Sequence, residues 1–230
     1  KHNKEMEDFW SRRANAPKFQ KTIHLFGHPV IFDSNHEKVL DSATRAEAMY
    51  SKADFSDETT WRIHITVPSH LSVASPPQRL IDLIRYTGAD DWLSIDLLEW
   101  GNCLVDMKRG EAFAVLARSL ADRAEQVCQI LINTILTNFI TRHGYGMLHA
   151  SALIKEEDIL LLQAPHGTGK STTALRLLAN GYKLLSDSMV YVGERGGDLW
   201  LGGFPVGRIK LRTDMLPHFP AFAAQAEEER

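Results

Sequence analysis

Cysteine is nearly missing from this chain: Cys103 and Cys128 are the only two among 230 residues. They show neither metal-ligand spacing nor the density of a small disulfide-stapled secreted domain. They therefore read as buried thiols in a reducing compartment, and the cytoplasm is the expected location. A dominant charge is missing as well. Lys and Arg total 26 against 29 Asp and Glu, the formal net charge is -3, and no basic block stands out. That balance argues against nucleic acid as a partner. No apolar run approaches the ~18 residues that span a bilayer, and no signal-peptide core appears near Lys1, so a membrane is not an expected partner either. Internal repeats and low-complexity segments are also lacking. What is there is a globular composition, 44% hydrophobic and 24% charged, long enough for one large domain or two smaller ones.

The most informative stretch follows the apolar run Ile159-Leu160-Leu161-Leu162 and reads Gln163-Ala164-Pro165-His166-Gly167-Thr168-Gly169-Lys170-Ser171-Thr172-Thr173. Phosphate-binding loops carry Gly-x-x-x-x-Gly-Lys-[Ser/Thr] between a strand and a helix, because successive backbone amides and the positive helix end surround a nucleotide's phosphates. Ala164 stands where the pattern has its first glycine, which is tolerable if the backbone there keeps a negative φ.

Taken in order, residues 1–20 are charged and weakly amphipathic, fitting a peripheral helix or an unattached arm. Alternation over Thr22 to Phe32 predicts two short strands turning at Gly27-His28-Pro29. A short helix is expected over Thr44–Tyr50, a half-buried strand over Trp61–Val67, and a helical turn over Arg79–Arg85. Further strands are expected over Asp91–Asp96 and Cys103–Met107, with Gly101-Asn102 as the turn between them. From Ala117 to Arg142 apolar residues recur at three- and four-residue steps without Gly or Pro, predicting the longest helix, capped at His143-Gly144. A domain boundary is placed at its start. Residues 1–116 form an α+β domain, and 117–230 an α/β domain in which strands alternate with the helix of the nucleotide loop.

In that second part, Met147–Ile154 reads as one strand, Ile159–Gln163 as the strand feeding the loop, and Lys170–Ala179 as its helix, stopped by Asn180-Gly181. Tyr182–Ser186 is another strand, and it delivers Asp187 to the carboxyl end where ligands sit in open α/β sheets. Val190–Val192 and Leu199–Leu201 make a hairpin. The tail from Ala221 lacks a finishing element, so the domain is expected to be incomplete at Arg230.

Lys170 is suited to the outer phosphates as a point charge, and Ser171 to Mg²⁺ through its hydroxyl. Thr172 fits a supporting role nearer the inner phosphates. His166 either donates to a phosphate or sits in solvent. Asp187 either holds Mg²⁺, directly or through water, or orients and deprotonates an acceptor hydroxyl, or else serves as a turn or cap aspartate. His149, alone on an apolar strand, is on general grounds more often a core residue than a catalyst. His24 and His28 lack a third ligand for a metal. Arg208, Lys210 and Arg212 alternate on one face, as a phosphate clamp or a solvated surface. Trp61, Trp92 and Trp100 are assigned to the core.

Three segments in this order, Met147-Leu148-His149-Ala150-Ser151-Ala152-Leu153, Ala164 to Ser171, and Gly181-Tyr182-Lys183-Leu184-Leu185-Ser186-Asp187, resemble motifs of the HPr kinase/phosphorylase superfamily. The resemblance covers roughly residues 143–212. It implies a P-loop kinase domain similar to the nucleotide domain of phosphoenolpyruvate carboxykinase, behind a smaller α+β domain. It further implies that Gly167, Gly169, Lys170 and Ser171 bind ATP and Mg²⁺, that Asp187 is the acid/base, and that His149 lies in the active site; Thr168, between the two glycines, is expected to bind the cofactor with the rest of the loop. Where the family commonly has a second aspartate, this chain has Ser188, and the Arg-Gly-Leu-Gly signature of the bifunctional enzymes is missing. The chain thus looks more like the divergent HPr-kinase-related proteins, some of which phosphorylate a serine hydroxyl in peptides, including lasso-peptide precursors. A regulatory nucleotide-binding module and a small-molecule kinase are the alternatives. The amino-terminal region is left with substrate recognition or assembly, homo-oligomer formation included.

Overall fold

The structure is a computed structural model that describes residues 16–50, 59–165, 167–187, 189–203, 209 and 213–225. The chain is mixed α/β and divides into two compact units, Lys1–His143 and Gly144–Arg230. Of the helix or arm expected over residues 1–20, residues 1–15 lie outside the described residues, as do His166, Ser188, Arg208, Lys210 and Arg212, while Phe19 and Gln20 open a strand instead.

The first unit is built on a seven-stranded mixed sheet of order β1-β2-β3-β7-β6-β5-β4. Its strands are β1 Phe19–Leu25, β2 His28–Ser34, β3 Trp61–Thr66, β4 Arg85–Ala89, β5 Trp92–Asp96, β6 Gly101–Asp106 and β7 Glu111–Leu116. The expected β1–β2 hairpin forms, but it turns at Phe26-Gly27, both at positive φ, so His28 and Pro29 already belong to β2. β3 pairs parallel with β2 on one side and with β7 on the other, while all other neighbours are antiparallel. A parallel pair needs a crossover. The β2–β3 crossover carries α1, Leu40–Met49, and the meander β4-β5-β6-β7 returns the chain to the far side of β3.

Period-two patterning decides which face is covered. Phe32, Ile63, Ala112 and Val105 lie in register across four strands and are all fully buried. The neighbouring row, Asp33, His64, Phe113 and Leu104, faces the other way, and Phe113 and Leu104 are 49% and 44% exposed. Trp61 and Trp100 are buried as expected; Trp92, however, is 43% exposed. It opens β5 beside the edge strand β4, whose residues are all exposed, so nothing is available there to cover it.

The long helix is interrupted. It comprises α2 Arg118–Ala121, α3 Ala124–Val127, a π-helical turn Cys128–Ile132 and α4 Asn133–Arg142. Arg123 breaks it with a non-helical φ of -108° and ψ of 73°. The interruption lets both Leu120 and Val127 reach buried positions. The helix belongs to the first unit and not the second, which moves the boundary from residue 117 to 143 and makes the amino-terminal unit the larger one. Packing explains this: Phe139 lies 5.5 Å from the Trp61 ring of β3, and the Cys128 thiol lies against Met49 of α1. Gly144, at φ 95°, then ends the helix as anticipated.

The second unit has two three-stranded sheets of orders β10-β9-β11 and β13-β12-β8 among its described residues, with antiparallel neighbours throughout. The strands are β8 Gly146–Leu148, β9 Ser151–Lys155, β10 Asp158–Leu162, β11 Lys183–Ser186, β12 Val190–Arg195 and β13 Asp198–Gly203. The single strand expected over Met147–Ile154 is thus two, parted at His149-Ala150 and assigned to different sheets. Ala150, Ala152 and Val190 form a fully buried core cluster of this unit, with Leu148, Leu161, Leu185, Val192 and Leu201 packed around them, and Leu153, Ala174 and Tyr191 are fully buried as well. Side chains as small as Ala150 and Ala152 let the two sheets' elements approach. Tyr145 similarly fits only because Gly193 lacks a Cβ, which would lie 2.4 Å from its ring.

Candidate functional site

β9 is the central strand of its sheet, and both partners run opposite to it, so β10 and β11 run parallel to each other. Leu162, the last residue of β10, pairs with Ser151, and Ser186, the last of β11, pairs with Ala152. Two different strands therefore end at the start of β9. The glycine-bearing loop leaves one end, and Asp187 leaves the other. The register of β11 slips between Leu184 and Ser186, a bulge of the kind that re-aims the residues beyond it. Ser186 and Asp187 are consequently both buried, at 1% and 3% exposure.

The loop enters α5, Lys170–Ala179, through Gly169 at φ 97° and ψ 17°. Gly167 is also left-handed, at φ 81°. A Cβ on either glycine would meet no atom within 4 Å, so backbone conformation, not crowding, requires glycine, and open space lies beside both. Ala164 is not among the described non-glycine residues at positive φ, which is the condition for alanine at that position. The helix ladder begins with the Thr173 amide on the Gly169 carbonyl at 2.8 Å, leaving the preceding amides as the helix's free amino-terminal donors. The far end closes with a Schellman motif: Tyr182 donates to Leu177 O and Gly181 to Leu178 O, each at 3.1 Å, with Gly181 at φ 87°. Ala174 and Leu175 are buried, and α5 packs on β9 and β11, which fixes the loop relative to Asp187.

Asp187 accepts hydrogen bonds on both carboxylate oxygens. Ser171 Oγ donates to Oδ2 at 2.9 Å, and Ser151 Oγ donates to Oδ1. Among the described residues no cationic side chain forms an ion pair with it. The Lys170 Nζ instead donates to the Ala164 and Pro165 carbonyls at 2.8 and 3.3 Å, and Thr168 Oγ1 donates to Pro165 O at 2.7 Å. The Lys170 and Thr168 side chains therefore close the loop on itself, and Lys170 is the one expected at the outer phosphates. Thr172 is half-buried on the first turn.

Of the residues anticipated from sequence, the structure brings Ser171 and Asp187 into contact and sets Lys170, Gly167, Thr168 and Gly169 around the same loop. His149 is exposed in the β8–β9 connection, two residues before Ser151, so it is not a core residue. Ser151 is the member that sequence reasoning passed over. Its signal was a hydroxyl at a strand position flanked by Ala150 and Ala152, where an apolar side chain would ordinarily be buried.

Other features are less suited to chemistry. A cavity of about 570 Å³ lined by Lys155, Glu156, Asp158, Ile159, Leu160 and Tyr182 lies at the β9–β10 turn, the opposite end of the strands from Asp187. In the first unit, a cleft of about 470 Å³ includes His36, Arg118 and Asp122. There Asp122 is held below the usual carboxylate range chiefly by its His36 hydrogen bond, with Lys38 adding to it. Both thiols are buried; desolvation pushes Cys103 up to about 12 and Cys128 up to about 11, so neither is a nucleophile at neutral pH. No group of three His, Cys, Asp or Glu side chains is placed to hold a metal among the described residues, His24 and His28 included. No helix among them is long and apolar enough to cross a membrane. Comparison with protein-family models, curated proteins and solved structures finds no match.

Proposed function

We propose that this chain is an ATP- and Mg²⁺-dependent phosphotransferase of the HPr-kinase-like P-loop kind, transferring the γ-phosphoryl group to a hydroxyl, preferably that of a serine in a peptide or small protein. The observation that carries this reading is the buried Asp187 carboxylate, hydrogen-bonded to Ser171 at the base of a left-handed glycine loop and ion-paired to no described cation. A buried carboxylate served only by neutral hydroxyls is an energetic liability that a cation relieves. Ser171 and Asp187 present hard oxygen atoms of the type that holds Mg²⁺, which commonly takes few protein ligands and completes its shell with phosphates and water.

The chain's own groups divide the work as follows. Gly167 and Gly169 leave room for phosphate oxygens beside the helix's free amides. Lys170, released from the Ala164 and Pro165 carbonyls, neutralises phosphate charge. Asp187 orients the acceptor hydroxyl and takes its proton as the new O–P bond forms and ADP departs with the electron pair of the broken bond. Bound Mg²⁺ would supply the remaining neutralisation of phosphate charge. The preference for a serine acceptor rests on the resemblance of the three motifs to divergent HPr-kinase-related proteins.

Labelled ATP, Mg²⁺ and a panel of serine peptides and small hydroxyl metabolites provide the test. Label should pass to a serine hydroxyl, and Asp187→Asn should lower turnover by about 10²-fold or more, with Lys170→Ala also impaired. Tight ATP binding without transfer to any acceptor would point to the regulatory module instead. Transfer confined to metabolites would identify a small-molecule kinase.

A further inference from the structure

Ser151 is the first residue of β9, fully buried, and separated from Asp187 by 36 positions in sequence. Its placement follows from pairing alone: β10 and β11 end against Ser151 and Ala152, which brings the β11 end beside the Ser151 hydroxyl. A serine hydroxyl has a single proton to give, and here it goes to Asp187 Oδ1 while Ser171 gives its own to Oδ2. Two donors from two different elements fix the carboxylate plane. Without Ser151, Oδ1 would be a buried charged oxygen with no partner among these contacts. It would then compete for the Ser171 proton or turn the carboxylate away from the loop.

We propose that Ser151 is a positioning residue: it holds the Asp187 carboxylate toward Ser171, and thereby sets how strongly a divalent cation is held beside bound nucleotide phosphates. Ser151 touches neither cation nor nucleotide; it acts through Asp187. Among the described residues, Lys170 and His149 do not substitute for it, since Lys170 Nζ is engaged with the loop carbonyls and His149 is exposed. This assignment rests on the phosphotransferase reading of the same site, so its test uses binding and not turnover.

The full chain is titrated with a fluorescent ATP analogue, first in chelator and then with increasing Mg²⁺. Wild type should bind more tightly as Mg²⁺ is added. Ser151→Ala and the nearly isosteric Ser151→Cys, whose thiol is a weak donor, should keep the metal-free affinity and need about tenfold more Mg²⁺ for half-maximal enhancement, as expected for losing a hydrogen bond to a charged group. Either variant responding to Mg²⁺ like wild type overturns the assignment. Wild-type behaviour of the cysteine variant alone would assign the effect to packing and overturn it equally. Should the alanine variant fail to fold, as judged by circular dichroism, the cysteine variant decides. Absence of nucleotide binding by wild type would remove the phosphotransferase reading and this assignment together, whereas normal wild-type binding with an unaltered Mg²⁺ response in the Ser151 variants removes only the latter.

Discussion

In the amino-terminal unit Trp61, Phe26, Phe32 and Phe139 are all fully buried; in the carboxyl-terminal unit a fully buried cluster centres on the smaller Ala150, Ala152 and Val190, with Leu153 and Tyr191 fully buried as well. Glycines in the first unit's sheet and in the second unit's loop also serve different ends. A Cβ on Gly101 would lie 2.1 Å from the Val115 carbonyl oxygen, and one on Gly110 would lie 2.4 Å from the Trp61 ring. Around Gly167 and Gly169, by contrast, a Cβ would meet nothing within 4 Å. The first unit uses glycine to bring its own parts into contact, and the loop of the second uses it to leave space. The polar interiors diverge too. Buried Asp33 has a basic partner, His64 Nδ1, at 2.7 Å, while buried Asp187 has, among the described residues, two serine hydroxyls and no ion pair. Among the described residues, the first unit thus sets a basic side chain beside its buried carboxylate and the second sets neutral hydroxyls beside its own.

Trp61→Ala should break this contrast most severely. Removing the ring stacked 4.3 Å from His28 and 5.5 Å from Phe139 should cost about 3–5 kcal/mol, read as a lowered urea midpoint. An unchanged midpoint would show that the sheet core is not the seat of stability. Gly101→Ala comes next, at about 3 kcal/mol, because φ 145° with ψ -170° and the Val115 carbonyl both oppose a side chain. Its counterpart Gly169→Ala should cost only about 1–2 kcal/mol, the penalty of left-handed backbone alone, while impairing nucleotide binding. Equal losses from the two substitutions would erase the distinction between contact and space.

The smallest effect belongs to the exposed ion-paired cluster. Asp122 titrates below the usual carboxylate range in the folded chain, first through its His36 hydrogen bond. A depressed folded pKa contributes stability that is present above the unfolded value, about 4, and lost as pH falls through the folded one. The side chain is 35% exposed, so solvent screening limits the term to about 0.5 kcal/mol. Asp122→Asn should therefore be slightly destabilising at neutral pH and indistinguishable from wild type well below pH 4. A gap that persists in acid would mean that the contribution is packing and not charge.

Local patterning made several elements legible. β3 was evident from Trp61, Ile63 and Ile65 alternating with polar neighbours, α5 from its Asn180-Gly181 stop, and the loop from Gly-Thr-Gly-Lys-Ser. β7 was not foreseen, although its alternation of Ala112, Ala114 and Leu116 is regular, because alanine at two of the three inward positions weakens the hydrophobic signal. The break at Arg123 was also invisible. No glycine or proline marks it, and it forms so that residues on both sides can be buried. Trp92 shows the same limit in reverse, since a large aromatic in a strand is covered only if something packs above it.

By itself the sequence determined the mixed α/β composition, most of the strands and helices, and the glycine-bearing loop that leads into Lys170 and Ser171, since each depends on periodicity or on spacing along the chain. Tertiary structure decided where the long helix belongs, that Met147–Ile154 splits between two sheets, and that Ser151 meets Asp187. These outcomes depend on strand pairing and burial across dozens of residues. The contact between β9 and the end of β11 exists only once the bulge at Leu185 and the register of the sheet are set.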